Sequence, residues 1–282
     1  MVFEEVVSIY TGSTNHRSKE RDVYSLKNLR DHFAGRVIEE LRRCDVRQYI
    51  QRRTALGIQP GTINRELRFL SAAINFVRLE HDRADLPNPA QGIGLPEPEC
   101  RVRWITKEEA SALIAAAQRT ARRPHLPNFI RLGLNTGCRR NEMLGLEWAR
   151  VDFDRQVFGL EGHHTKNGRR RSVPLNREAL AALRDQRQWV LEHCPASPWV
   201  FGVTNERRLT TLQKGFAASC QRAEIENFRI HDLRHTFASW LVMEGVSLYV
   251  VKDLLGHSSV TVTERYAHLS PDLGKSAVQL LA

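Results

Sequence analysis

His231-Asp232-Leu233-Arg234-His235-Thr236-Phe237-Ala238 is the stretch from which the C-terminal half of this chain is read. A helix is predicted over 231–244, and on it His231 and Arg234, three residues apart, share a face and can converge on one anion. By itself the pair is a weak signal, and a structural pair on a helix surface is the commoner case. His235 follows His231 at a metal-ligand spacing, but no HExxH pattern or third ligand accompanies it, so no metal site is expected.

Working upstream, Thr136-Gly137-Cys138-Arg139-Arg140-Asn141-Glu142 predicts a helix ended by a left-handed Gly137, with Arg139 opening a short helix next to it. Backbone donors at such a helix start favour anions. Glu142, one turn on, can orient Arg139 or a neighbour; a plain surface ion pair is the other reading. In Thr165-Lys166-Asn167-Gly168 the Asn-Gly pair signals a hairpin turn between strands 157–165 and 169–174. Lys166 stands at its tip, where a lysine is either solvated or able to reach a cleft and donate a proton. Arg169, Arg170 and Arg171 come next and are expected to hold phosphates.

Downstream, Gly256 closes a helix over 247–255 and Ser258 can cap the next one, with His257 in the junction. Tyr266 comes nine residues later, after the β-branched run Val260-Thr261-Val262-Thr263, a poor helix former. Its helix is therefore expected to be weak and movable, although a lone tyrosine is commonly packing. Together these stretches supply two arginines, a lysine, two histidines and a tyrosine. Such a set can bind a phosphodiester, stabilise its transition state, protonate a leaving group and attack with a phenol.

Composition agrees. The chain has 282 residues, enough for two domains. Lys plus Arg number 42 against 32 Asp plus Glu, a net charge of +10 that favours a polyanionic partner. No run of about 18 apolar residues predicts a membrane span, and the acid-bearing N-terminus is no secretory signal. Five scattered cysteines without a CxxC argue against zinc or a disulfide framework and for a cytoplasmic location.

The first 95 residues read as helical. Asp45 is expected to cap a helix over 46–56, and Thr62 a longer one with Ile63, Leu67, Leu70, Ile74 and Val77 on one apolar stripe. Asn64, Arg65, Arg68 and Asn75 lie off the stripe, as a solvated or a DNA-contacting face. The proline-rich segment 87–103 reads as an interdomain linker, and Thr106-Lys107-Glu108-Glu109 as a capping box opening the second domain. That domain, 104–282, is expected to be mixed. Helices over 106–120 and 128–136 precede strands over 148–153, 157–165 and 169–174, and helices return over 176–192 and 210–223.

In order and spacing these motifs resemble the tyrosine recombinase (phage integrase) family over residues 104–270. The resemblance rests on Thr136 through Leu146, Thr165-Lys166, His231 through Ala238, Leu254-Leu255-Gly256-His257 and Arg265-Tyr266-Ala267-His268. Thr62 through Leu67 resembles, less specifically, the family's helical core-binding domain. The resemblance implies a mainly α fold with a small antiparallel β-sheet, in which a helical core-binding domain precedes a mixed α+β catalytic domain. It implies a site-specific recombinase that cuts and rejoins double-stranded DNA through a 3′-phosphotyrosine link. Tyr266 would be the nucleophile. Arg139 and Arg234 would hold the non-bridging oxygens, and His231 would take the phenol proton. Lys166 would protonate the 5′-oxygen, and His257 would hydrogen-bond the phosphate. No cofactor, metal or ATP is implied.

As partners the family implies a homotetramer on paired sites, with accessory DNA-bending or directionality factors. The segment after Tyr266, with Leu273, Val278, Leu280 and Leu281, would dock on a neighbouring subunit. The first domain begins almost at Met1, where many phage integrases carry an additional arm-binding domain; either the chain is a two-domain recombinase or a segment has been removed. A type IB topoisomerase-like activity and a non-catalytic DNA-binding protein are the alternative readings.

Overall fold

The computed structural model describes residues 1–13, 19–98, 101–119, 124–162, 170–203, 207–270 and 278–279. The chain divides into two compact units, Met1–Glu99 and Cys100–Ala282.

Unit 1 is helical: α1 (Phe3–Ser13), α2 (Lys19–Phe33), α3 (Arg43–Ala55) and α4 (Pro60–Glu80). The long α4 is its spine, contacted by the other three. Ile63, Leu67, Leu70, Ile74 and Val77 are all buried, as their spacing demands of an amphipathic helix. The boundaries differ from expectation. Proline, with no amide hydrogen to lose, opens α4 at Pro60 after Gln59, ahead of Thr62. Asp45 sits inside α3, where its carboxylate accepts the Arg42 backbone N–H across a capping box.

Much of the expected linker belongs to this unit. Leu86 and Ala90 are buried, and Asn88 donates to Ser71 and Asn75 on α4. Asn64 is only 7% exposed and clasps this segment, its Nδ2 donating to the Leu95 carbonyl at 2.8 Å and its Oδ1 accepting the Leu95 N–H at 2.7 Å. The off-stripe position of Asn64 thus serves packing and is not free for DNA. Arg65 and Arg68 are exposed on the same helix.

Unit 2 holds α5 (Lys107–Gln118), α6 (His125–Thr136), α7 (Arg140–Leu144), α8 (Arg177–His193), α9 (Gln213–Arg222), α10 (Asp232–Met243) and α11 (Leu248–Leu255). Its antiparallel sheet runs β1 (Val151–Asp152), β2 (Val157–Leu160), β3 (Arg171–Pro174) in that order. Thr106 caps α5 through the expected capping box with Glu109. The strand expected over 148–153 is mostly a 3-10 turn, with only Val151–Asp152 paired. Central α6 packs against α5, α8 and α10. Two features place the functional side chains: a left-handed glycine ending α6, and α10 lying against the turn that carries Tyr266.

No described helix is long and apolar enough to cross a membrane.

Candidate active site

Four segments of unit 2 converge. The first is the α6–α7 junction. Gly137 is left-handed, with φ of 61°, and its N–H returns to the Gly133 carbonyl at 3.0 Å. A Cβ there would stand 2.4 Å from the Phe237 ring, so space as well as φ requires glycine. The turn delivers Arg139 to the N-cap of α7. Buried Glu142 accepts both the Arg139 backbone N–H at 2.9 Å and its Nη1 at 2.8 Å.

The second segment is α10. Its Arg234 is 3% exposed and donates from Nη1 to the Gly137 carbonyl at 2.9 Å, while Nη2 is buried with no hydrogen-bond partner among the described residues. Burial, with Arg139 and Arg171 near, pulls its pKa down to about 10. His231, at the N-cap of α10, has its pKa lowered by burial and by Arg234.

The third is the end of α11. Gly256, left-handed at φ 66°, donates to Asp253 and the His257 N–H reaches back to Lys252, a closure that fixes His257. Its Nδ1 lies 2.8 Å from the Thr263 hydroxyl. Burial and the neighbouring Arg234, Arg139 and Arg265 hold the ring at about 3, so it is neutral.

The fourth is the 3-10 turn Glu264–Leu269, which carries Tyr266. Ser259, one residue after the expected Ser258, caps the preceding turn. A 3-10 turn matches a sequence too β-branched for a good helix. Yet Tyr266 is only 1% exposed and packs with Ala238, Val242, Val251 and Leu255. Its hydroxyl lies 2.6 Å from Nδ1 of His235. Burial raises the phenol to about 12, and burial and His231 lower His235 to about 4. A neutral His235 keeps one ring N–H, and its tautomer sets the direction of the hydrogen bond it shares with the phenol.

The structure thus brings Arg139, Glu142, His231, Arg234, His257 and Tyr266 to one region, and it places His235, not His231, on the phenol. In the sequence His235 stands out only by its metal-ligand spacing. No group of His, Cys, Asp and Glu able to hold a metal occurs among the described residues. Arg171 is a correction: its side chain is 13% exposed and bonded to Glu142, so it is not a surface phosphate contact. Arg170 is 82% exposed and paired with Glu161. Lys166 and Arg169 lie outside the described residues, as does the segment after Ser270 apart from 278–279.

What this arrangement can do is hold an anion: the guanidinium and imidazole groups outnumber the buried carboxylates Glu142 and Asp232, and a buried N–H of Arg234 has no partner among the described residues. The same fold occurs in DNA-bound integrases. The Tn1549 transposon integrase in complex with transposon right end DNA superposes with a TM-score of 0.81 at 19% identity, over 100% of this chain and 99% of that one. A lambda integrase tetramer bound to a Holliday junction gives 0.73 at 17% identity, over 96% of this chain and 76% of that one.

The chain belongs to the phage integrase family, whose model matches residues 103–272. It is 32% identical to the integrase of Salmonella phage P22 over 214 residues, which are 73% of this chain and 53% of that protein. It is 26% identical to the tyrosine recombinase XerD of Rhizobium meliloti, over 95% of this chain and 89% of that protein. The chain spans between 53% and 64% of the length of the first phage integrases it matches.

Proposed function

We propose that the chain is a site-specific DNA recombinase that cuts and rejoins double-stranded DNA through a 3′-phosphotyrosine intermediate. The observation that carries this reading is the buried Nη2 of Arg234, without a partner among the described residues and set among Arg139, His231 and His257 beside a buried tyrosine. A phosphodiester supplies the anion this group lacks. Arg139 and Arg234 hold its non-bridging oxygens, where charge grows in the transition state. His257 donates to the same phosphate.

Tyr266 leaves its seat on His235 as the turn around it moves, and its oxygen attacks phosphorus. His231 takes the phenol proton and Lys166 protonates the departing 5′-oxygen. Attack by a 5′-hydroxyl of a second duplex reverses the step. Arg65, Arg68, Arg169 and Arg170 contact the DNA backbone. Four copies assemble on paired sites, with the segment after Ser270 docking on a neighbour.

Tyr266→Phe tests the core of the proposal. It removes one oxygen, so covalent protein–DNA adduct should disappear while site binding persists; adduct formed by the Phe variant would exclude Tyr266 as nucleophile. Lys166→Ala should be rescued by a substrate with sulfur at the 5′-bridging position, since a thiolate leaves without a proton. Equal slowness on both substrates would remove Lys166 from the acid role.

A further inference from the structure

Arg171 opens β3 and turns inward. Its Nη1 donates to the Leu255 carbonyl at 3.0 Å and its Nη2 to Glu142 Oε2 at 2.9 Å, with Cys138 Sγ at 3.5 Å. Each acceptor adjoins a residue of the phosphate site. Cys138 precedes Arg139, Glu142 holds Arg139 by backbone and side chain, and Leu255 ends the helix whose closing turn fixes His257. The fit is close: a Cβ on Gly256 would stand 2.5 Å from Arg171 Nη1.

We propose that Arg171 is a positioning residue that locks the Arg139 arm to the His257 arm and controls how Glu142 is shared between two arginines. The inference rests on the functional reading above. A carboxylate has about four acceptor sites and readily takes a guanidinium by both oxygens. With Arg171 on Oε2, Glu142 engages the Arg139 side chain only through Oε1, leaving that arginine's other N–H groups for substrate. Without Arg171, both oxygens can chelate Arg139 and draw it off the phosphate. The Leu255 carbonyl at the end of α11 also loses its cationic donor, and the turn bearing His257 loosens.

The test is single-turnover cleavage by the full chain on site DNA at saturation, with binding measured separately across salt. Arg171→Gln and Arg171→Lys are each made alone and with Arg139→Ala. Arg171→Gln should cut on the order of 100-fold more slowly, the scale of an ångström's misplacement, with affinity and salt slope unchanged. In the Arg139→Ala background the same change should cost only a few-fold, because residues acting as one unit are not additive. Arg171→Lys keeps the charge but cannot span three acceptors, so it should recover only part of the rate. It also carries the test should the Gln variant not fold.

Equal losses in both backgrounds would mean general destabilisation and overturn the proposal. So would a salt slope reduced by about one with an unchanged rate at saturation, the mark of a phosphate contact. Undiminished cleavage by Arg171→Gln would sink this inference alone. A wild-type chain that forms no adduct would sink the functional reading, and this with it.

Discussion

The two units each bury a group of charges, and the two groups are built on opposite plans. In unit 1, Glu66 is 1% exposed with both oxygens occupied: Asn28 and Arg53 donate to Oε1, Tyr49 and Arg53 to Oε2. In unit 2, Arg139 and Arg171 both pair with Glu142, Arg234 lies close by, and nitrogens of Arg171, Arg234 and Arg265 are buried without partners among the described residues. A buried charge kept for stability is paired within the fold, because an unpaired one is costly. Surplus cations make sense where the missing partner arrives from outside.

Arg234→Met should break the comparison most sharply. It removes the least compensated charge while keeping much of the side chain's bulk. Cleavage should fall about 100- to 1000-fold, the scale of one lost transition-state donor, while the DNA-free protein melts no lower than wild type. A large drop in melting temperature would show that Arg234 is held for the fold. Glu66→Gln should do the reverse. It leaves Arg53 buried without its counter-charge and should cost about 3 kcal/mol in denaturant unfolding, with the cleavage rate at saturating DNA unchanged. A loss within error of zero would mean that the Glu66 cluster is no more valuable than a surface pair.

How much of this is legible in the sequence differs between the groups for a physical reason. Arg139, Arg234, His257 and Tyr266 sit in short motifs whose local signals survive folding: glycines at helix ends, i to i+3 spacing, β-branched runs. The stripe on α4 is equally plain. Glu66 is not, because it lies between stripe residues and its partners Asn28, Tyr49 and Arg53 are on other helices. Arg171 looks like its neighbour Arg170, yet its partners Glu142 and Leu255 lie 29 and 84 residues away. The bond from Tyr266 to His235 spans 31 residues and depends on how one turn docks on α10. Asn64 is opaque for the same reason. Spacing identifies a face, but not which loop will cover it.

Acid should separate the two units. His235 and His257 are held at about 4 and about 3, against about 6.5 for an unfolded histidine. Their neutral folded forms contribute stability that is full above about 6.5 and is lost as pH falls toward those values. In unit 1, Glu39 is held at about 2 by the N-terminal ammonium and Arg83, and its contribution is lost only as pH falls below the usual carboxylate range. Only His32 in that unit has a comparably directed shift among the described histidines. All five tryptophans, Trp104, Trp148, Trp189, Trp199 and Trp240, lie in unit 2. Tryptophan emission should therefore change at higher pH than the far-UV helix signal to which both units contribute. Coincident transitions would mean that the buried histidines do not set the acid limit.

The smallest expected effect lies on the surface of unit 1, where Arg68 Nη2 is 2.8 Å from Glu97 Oε1 and the two side chains are 71% and 46% exposed. A pair so exposed contributes about 0–1 kcal/mol to stability. Its interest is competitive, since Glu97 also accepts from Asn64 Nδ2 at 2.9 Å and so stays where it can neutralise Arg68. Glu97→Gln keeps an acceptor for Asn64 and removes the charge. If Arg68 is a phosphate contact, as proposed, the variant should bind DNA a few-fold more tightly, and its log–log salt dependence should steepen by about one phosphate's worth. The melting temperature should not move. Adding Arg68→Ala should cancel the gain, because the freed cation is then gone. Unchanged affinity and slope in Glu97→Gln would return Arg68 to the solvated face from which the sequence could not distinguish it.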